Sequence, residues 1–441
     1  ATAGTDYTAT SGTVTFNAGE QVKTIPVTIL ASGSVVDKTF LVNISGATGG
    51  TIIRPQAKGT IKATRTPSIA VISEFRTSGP GGAGDDFVEV YNNTATPLTV
   101  GGTGWAVVKS GASCGSSPQI VGIIPNGTVI PVGGHYLLTG SQYSLGAPNG
   151  YPAGTAGSGK AVGDLVMTSD IDADSNIGLF SASTVPALSS TNLLDAAGSG
   201  TGNICDLLEE GTPLLPALGS SSEYSFVRKL TTGFPLDTDN NFTDFAVVST
   251  TPTTPVGSNA APLLGAPGPE NLSSPPSLSG LTSGLIDPAQ VSTASPNRVR
   301  DTSPYTDNLS NTGAYPLGTF VIRRSYTNNT GHPVTRLRFR LIDITAFPSP
   351  AGTADLRGIT SPASQAVTIT GGGSVTVIGT ALEPSPGGFP AQPNGGGINS
   401  SMTVPLGLPL ANGQSINVQW LLGVKQGGTF RFFVLIEGLA P

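Results

Sequence analysis

The sequence predicts an all-β protein made of β-sandwich modules in series. Three observations carry that prediction. Threonine, serine and valine are plentiful while glutamate and lysine are scarce, so β-branched residues meet little competition from charged helix formers. Apolar and polar residues alternate along short runs, which is the period of a half-buried strand. Sixty glycines and 36 prolines in 441 residues cut those runs apart, at a level below that of low-complexity disorder. At this length the chain has room for roughly three domains.

Residues 1–64 open with strand-like runs at 13–16, 23–29, 39–44 and 59–62. Within AGTDYTATSGTVTFNAGEQVKTIPVTI, the residues Asp6, Tyr7, Gly12, Phe16, Gly19 and Glu20 fall where the Calx-beta family places them, and this region resembles the second half of such a domain. The resemblance implies a partial Calx-beta sandwich over 1–64, lacking its opening strands. Half a sandwich leaves strand edges and an apolar face uncovered. A strand from a neighbouring subunit is therefore expected to complete it, with Thr13, Phe16, Ile25, Val27 and Phe40 carrying the assembly. Many Calx-beta domains bind calcium through an acidic loop; here the corresponding loop, 31–37, offers only Asp37, with Asp6 as a second ligand. That is too little carboxylate for Ca²⁺.

Residues 65–248 open with a short Arg65-Thr66-Pro67 joint. The stretch Ile72–Trp105 reads as strand, glycine-rich loop, strand, polar turn and aromatic plug. The blocks Ile69–Phe75, Phe87–Asn92, Gly104-Trp105, 130–138, 174–180, 225–230 and DTDNNFTDF at 237–245 together resemble the lamin-tail family. That resemblance implies an immunoglobulin-like β-sandwich of the kind found in exported bacterial proteins.

Residues 249–284 hold many prolines and almost no charge, and they read as an extended, semi-rigid linker able to lie along another subunit. Residues 285–441 make a third all-β unit, similar to a C-terminal module of exported bacterial surface proteins. Its strands are expected around Phe320–Ile322, Leu337–Leu341 and Phe430–Ile436. In TRLRFRLIDI, Arg336, Arg338 and Arg340 share one face and Leu337, Phe339 and Leu341 the other. A solvated or subunit-facing arginine row is expected. Nucleic acid is not, because the chain is acidic and that face has no aromatic residues for stacking.

Net charge is −6, but residues 1–281 carry 11 basic and 20 acidic side chains against 10 and 7 in residues 282–441. Opposite signs at the two ends would suit head-to-tail contact. No apolar run reaches the ~18 residues of a membrane helix, so no membrane insertion is expected. Export, with a leader removed before residue 1, is the expected history. In that compartment the two cysteines, Cys114 and Cys205, are expected to form one disulfide, stabilising by on the order of 4 kcal/mol in the chain-entropy picture.

Several strings imitate catalytic motifs and fail on context. Gly111–Gly115 spells G-x-S-x-G, but loop follows where a helix is needed. Gly154–Ala161 approaches a P-loop, but Ala161 replaces the Mg²⁺-binding hydroxyl. His135 and His332 have no metal-ligand spacing. Glu74 and Glu89 lie on adjacent predicted strands, where an acid/base pair competes with the plainer role of accepting N–H bonds from the glycine-rich loop. Asp170, Asp172 and Asp174, with Asp237 and Asp239, are the only candidate calcium ligands, and Asp and Asn also populate turns for their own reasons. Eight Asn-x-Ser/Thr sequons, among them Asn92, Asn241, Asn271, Asn328 and Asn399, fit exposed loops or strands.

These readings converge on a secreted, non-enzymatic structural protein that assembles with copies of itself into a filament or surface layer. No cofactor is expected. The competing reading is an adhesin or binding module detached from an exported enzyme such as a nuclease or phosphatase, with a glycan or surface target.

Overall fold

The computed structural model describes the chain except for residues 19, 21–22, 31–37, 62–67, 111–117, 146–161, 173–174, 190, 199–207, 209, 213, 215–222, 232, 251–261, 309–312, 384–395 and 440–441. It is all-β, with antiparallel pairing dominant, and it divides into two compact units, 1–68 and 69–441. Among the described residues no helix is long and apolar enough to cross a membrane.

Among its described residues the first unit contains one antiparallel pair, β1 (Lys38–Asn43) with β2 (Gln56–Ile61), in register from Lys38 opposite Ile61 to Asn43 opposite Gln56. Phe40 stacks on Tyr7 with ring centroids 4.9 Å apart, and a side chain at Gly59 would collide with the Phe40 ring. Asp6 ties the opening turn to β1 by accepting from Thr2 N at 2.7 Å and from Lys38 Nζ at 2.7 Å. The runs 13–16 and 23–29, expected as strands, form none. A strand needs a partner in register, and the described residues supply only the single bridge Tyr7–Ile29 here. Phe16 is 55% exposed and Leu41 53%; Ile25 is exposed as well.

The second unit holds two sandwiches. In the first, β3 (Ala70–Arg76) and β4 (Phe87–Asn92) lie at the centre of a seven-stranded sheet, flanked by His135–Thr139 and Tyr224–Arg228. A four-stranded sheet, Leu193–Gly198, Asn176–Phe180, Trp105–Lys109 and Gln119–Ile124, closes over it. Ile72, Phe75, Val88, Val90, Trp105 and Ile177 fill the space between. Both central strands are buried along their whole length, so their other face is covered too.

The second sandwich sets Thr319–Asn328 and Ser415–Gln426 against Arg336–Ile344 and Phe432–Leu439. Phe339 packs edge-on against Trp420, centroids 4.9 Å apart, with Tyr326 alongside. Leu337, Phe339 and Leu341 are fully buried, as their alternation requires.

Two expectations are corrected. From residue 262 the proline-rich segment is no free linker. Leu263–Leu264 adds a parallel strand to the first sandwich, Ala266–Glu270 is buried, and Leu281–Gly284 joins the second sandwich. Nor are the sequons uniformly exposed: Asn92, Asn241, Asn271, Asn328 and Asn399 are buried.

Candidate functional site

The covered outer face of β3 and β4 meets the second sandwich in a buried network of charges. Glu74 and Glu89 are opposite each other in the β3–β4 register, brought together by a bulge after Ile72. Glu74 accepts from Ser225 Oγ at 2.6 Å and Gly268 N at 2.9 Å through Oε1, and from Asn399 Nδ2 at 3.0 Å through Oε2. Glu89 accepts from Ser73 Oγ at 2.5 Å and Glu270 N at 2.5 Å. The N–H donors thus come from the 266–270 segment rather than from the glycine-rich loop.

His135 sits between two carboxylates, with Nδ1 2.8 Å from Glu89 and Nε2 3.0 Å from Glu270. From the opposite sandwich, Arg338 and Arg340 both reach Glu270 and both pair with Glu437, at 2.5 and 2.7 Å. Arg340 also donates to Gly268 O at 3.0 Å and Asn399 Oδ1 at 2.6 Å. Gly268 must be glycine for this approach, since a Cβ there would lie 2.6 Å from Arg340 Nη1. The arginine row expected to face solvent or another subunit is therefore spent inside the chain. Arg338 and Arg340 are buried, and Arg336 pairs with Glu383 at 3.4 Å. The acid–base complementarity between the two halves of the sequence is met at least in part within one molecule.

Burying this many charges is costly unless each is paired and hydrogen-bonded. Burial pushes Glu74 up to about 7, and repulsion from Glu89 adds to it. Burial alone would raise Glu437 as well, but Arg338 and Arg340 outweigh it and hold that carboxyl below its usual range. Beside the network lies a cavity of about 360 Å³, lined by Glu74, Glu89, His135 and Arg340 on one side and Val227 and Leu435 on the other. Glu74, Glu89 and His135 are anchored by their neighbours rather than aimed into open space. The arrangement acts as a polar clamp between sandwiches.

A second acidic group lies in the first sandwich. Asp195, Glu210 and Asp237 bring one carboxylate oxygen each within 4.8 Å of one another. Arg228 stands beside them, 2.5 Å from Asp195 Oδ2, 3.8 Å from Asp237 and 3.7 Å from Asp244. Asp239 is in the same turn, with φ of 53°. Asp170 and Asp172 are occupied elsewhere: Asp170 accepts from Ser141 N and Oγ at 3.0 and 3.1 Å, and Asp172 pairs with Lys109 at 3.1 Å. Among the described residues of the two acidic strings singled out in the sequence, Asp237 joins the cluster and Asp170 and Asp172 do not.

Phe16, Ile25 and Thr13 are exposed, Val27 is half-buried, and Phe40 is engaged by Tyr7. Asp37, Cys114, Cys205, Asp174, Gly111–Gly115 and Gly154–Ala161 lie outside the described residues. His332 is exposed and offers its carbonyl to Asn328. Sequence reasoning missed Asp195, Glu210, Glu270, Asn399 and Glu437. The one readable signal was a lone charge inside an apolar run, as in FFVLIEGL around Glu437 or SFVRKL around Arg228.

Residues 1–61 match the Calx-beta domain family. No curated protein matches the chain. Among solved structures, a DUF4876 family protein from Bacteroides thetaiotaomicron VPI-5482 aligns over 47% of this chain and 76% of its own, at 13% identity and a TM-score of 0.28. A likeness at that level carries no argument about fold or function.

Proposed function

We propose that this is a secreted, non-enzymatic structural protein that polymerises outside the cell, with a β-strand from a second copy completing the Calx-beta module. In this reading residues 69–248 are a lamin-tail sandwich, residues 285–441 are a C-terminal surface-protein sandwich, and the charged clamp makes the two a rigid spacer. The observation that carries it is the state of the first unit: among its described residues a single strand pair, two strand-like runs that form no strand, and Phe16, Ile25 and Leu41 left exposed. Exposed apolar side chains and unpaired edges are the requirements for strand addition.

The test is sedimentation velocity and negative-stain imaging of the full chain beside a version lacking residues 1–68. Polymers that vanish on deletion support the proposal. A monomeric full chain overturns it. The cavity between the sandwiches favours a second reading, a monomeric binding module holding a small ligand there, and the monomeric outcome would select it.

A further inference from the structure

The acidic cluster of the first sandwich has no use in the clamp or in assembly, and it holds buried oxygens with no hydrogen-bond donor among the described residues. Asp195 is fully buried. Its Oδ2 is taken by Ile72 N at 2.6 Å and by Arg228 at 2.5 Å, while its Oδ1, also buried, accepts no hydrogen bond from a described residue. Asp237 Oδ1 is likewise buried, with no hydrogen-bond donor among the described residues. Glu210 completes the group. Among the described residues Arg228 pairs with Asp195, Asp237 and Asp244, and Asp195 and Glu210 are closed to water.

Carboxylate oxygens within 4.8 Å of each other repel strongly at low dielectric. A cation with metal–oxygen distances of about 2.3–2.6 Å brings its ligand oxygens to that mutual spacing. We propose that Asp195, Glu210 and Asp237 hold one divalent cation, calcium, which pins the 237–244 turn and the loop carrying Glu210 to the strand Leu193–Gly198. The donor set is all oxygen and contains no histidine or cysteine, which selects a hard ion over zinc or copper. The ion engages the buried Asp195 Oδ1 and the Asp237 Oδ1 that Arg228 approaches only to 3.8 Å. This assignment stands apart from the polymer reading, since none of its residues belongs to the first unit.

The experiment uses the full chain after chelator treatment, titrated with CaCl₂ and, separately, MgCl₂ by calorimetry, with melting curves recorded in EDTA and in excess calcium. Asp237→Asn and Glu210→Gln are the test variants. Asp237 is at the rim of the cluster, so its variant keeps the fold. Asp172→Asn, which loses only a partly exposed pair with Lys109, is the control. Wild type and control are expected to bind calcium with one more equivalent than either test variant, or at least about tenfold more tightly at that site. Asp237→Asn is expected to melt above wild type in EDTA, where repulsion is relieved, and below it in calcium. Calcium uptake that survives both test variants unchanged places the ion elsewhere, the first unit included, and overturns the assignment. So does a wild-type chain that takes up no calcium, because the cluster is then balanced by Arg228 and shared protons.

Discussion

Asn92 and Asn328 do the same job in the two sandwiches. Asn92 Nδ2 donates to the carbonyls of Thr96, Ile130 and Pro131 at 2.9–3.0 Å, and its Oδ1 accepts from Thr94 N and Oγ1 at 2.9 and 2.8 Å. Asn328 Nδ2 donates to His332 and Leu410 at 2.8 and 2.7 Å, and its Oδ1 accepts from Thr330 N and Oγ1 at 3.0 and 2.8 Å. Both begin the pattern Asn-Asn-Thr-x-x-Pro. In both, the residue after that proline pairs with the residue whose carbonyl the asparagine holds: Leu98 with Ile130, Val334 with Leu410. One buried amide thus turns the chain out of a central strand at each corner.

Replacing either asparagine leaves buried carbonyls and a turn N–H without partners. Asn92→Ala and Asn328→Ala are each expected to destabilise by about 2–4 kcal/mol in urea unfolding. Asn329→Ala, whose amide reaches Thr282 on the surface, is expected to change stability by less than about 0.5 kcal/mol. Equal effects at Asn328 and Asn329 would refute the corner's role. The same burial means that the sequons at Asn92 and Asn328 stay unglycosylated once the chain is folded.

Arg340→Met removes one cation from a buried group containing Glu270 and Glu437. Breaking one partner of a buried pair strands the others, so a loss of about 3–5 kcal/mol is expected. Arg431→Met breaks a pair with Asp343 that is largely exposed and is expected to cost less than about 1 kcal/mol. Denaturant midpoints of the two variants check the contrast.

Stability is expected to fall as pH rises from 5 to 8. The folded Glu74 titrates at about 7 against 4.5 for the free side chain, because it is buried beside Glu89. The folded chain therefore keeps a proton that the unfolded chain has already released. That contribution is whole below 4.5 and is lost as pH rises through 7. It amounts to on the order of 3 kcal/mol. Asp86, raised to about 7 by burial and by Asp170, acts in the same direction. Glu74→Gln is expected to flatten the slope of melting temperature against pH between 5 and 8. An unchanged slope would assign the pH dependence to other groups.

Phe16→Asp tests the apolar face of the first unit without touching the second. It is expected to abolish wild-type polymers in sedimentation while leaving the main melting transition of residues 69–441 in place. Polymers that persist would place the contact elsewhere.

The all-β class and the inward row Leu337, Phe339 and Leu341 were legible in the sequence, because the period of two is a local property of a strand. So was the pairing of β3 with β4 around a glycine-rich loop. The fate of the arginines on the opposite face was not. Alternation tells which side chains share a face, but not what covers it, and only the packing of Arg336–Ile344 over the 266–270 segment buries Arg338 and Arg340. Glu74, Asn399 and Glu437 lie far apart in the chain and meet where the two sandwiches pack together. Asp195, Glu210 and Asp237 likewise come together only in the folded chain, with only the last marked in advance by its acidic string. What the sequence by itself determined was local, namely strand periodicity and turn chemistry. The tertiary structure alone decided which charges are buried together, because burial and charge pairing depend on distances in space rather than along the chain.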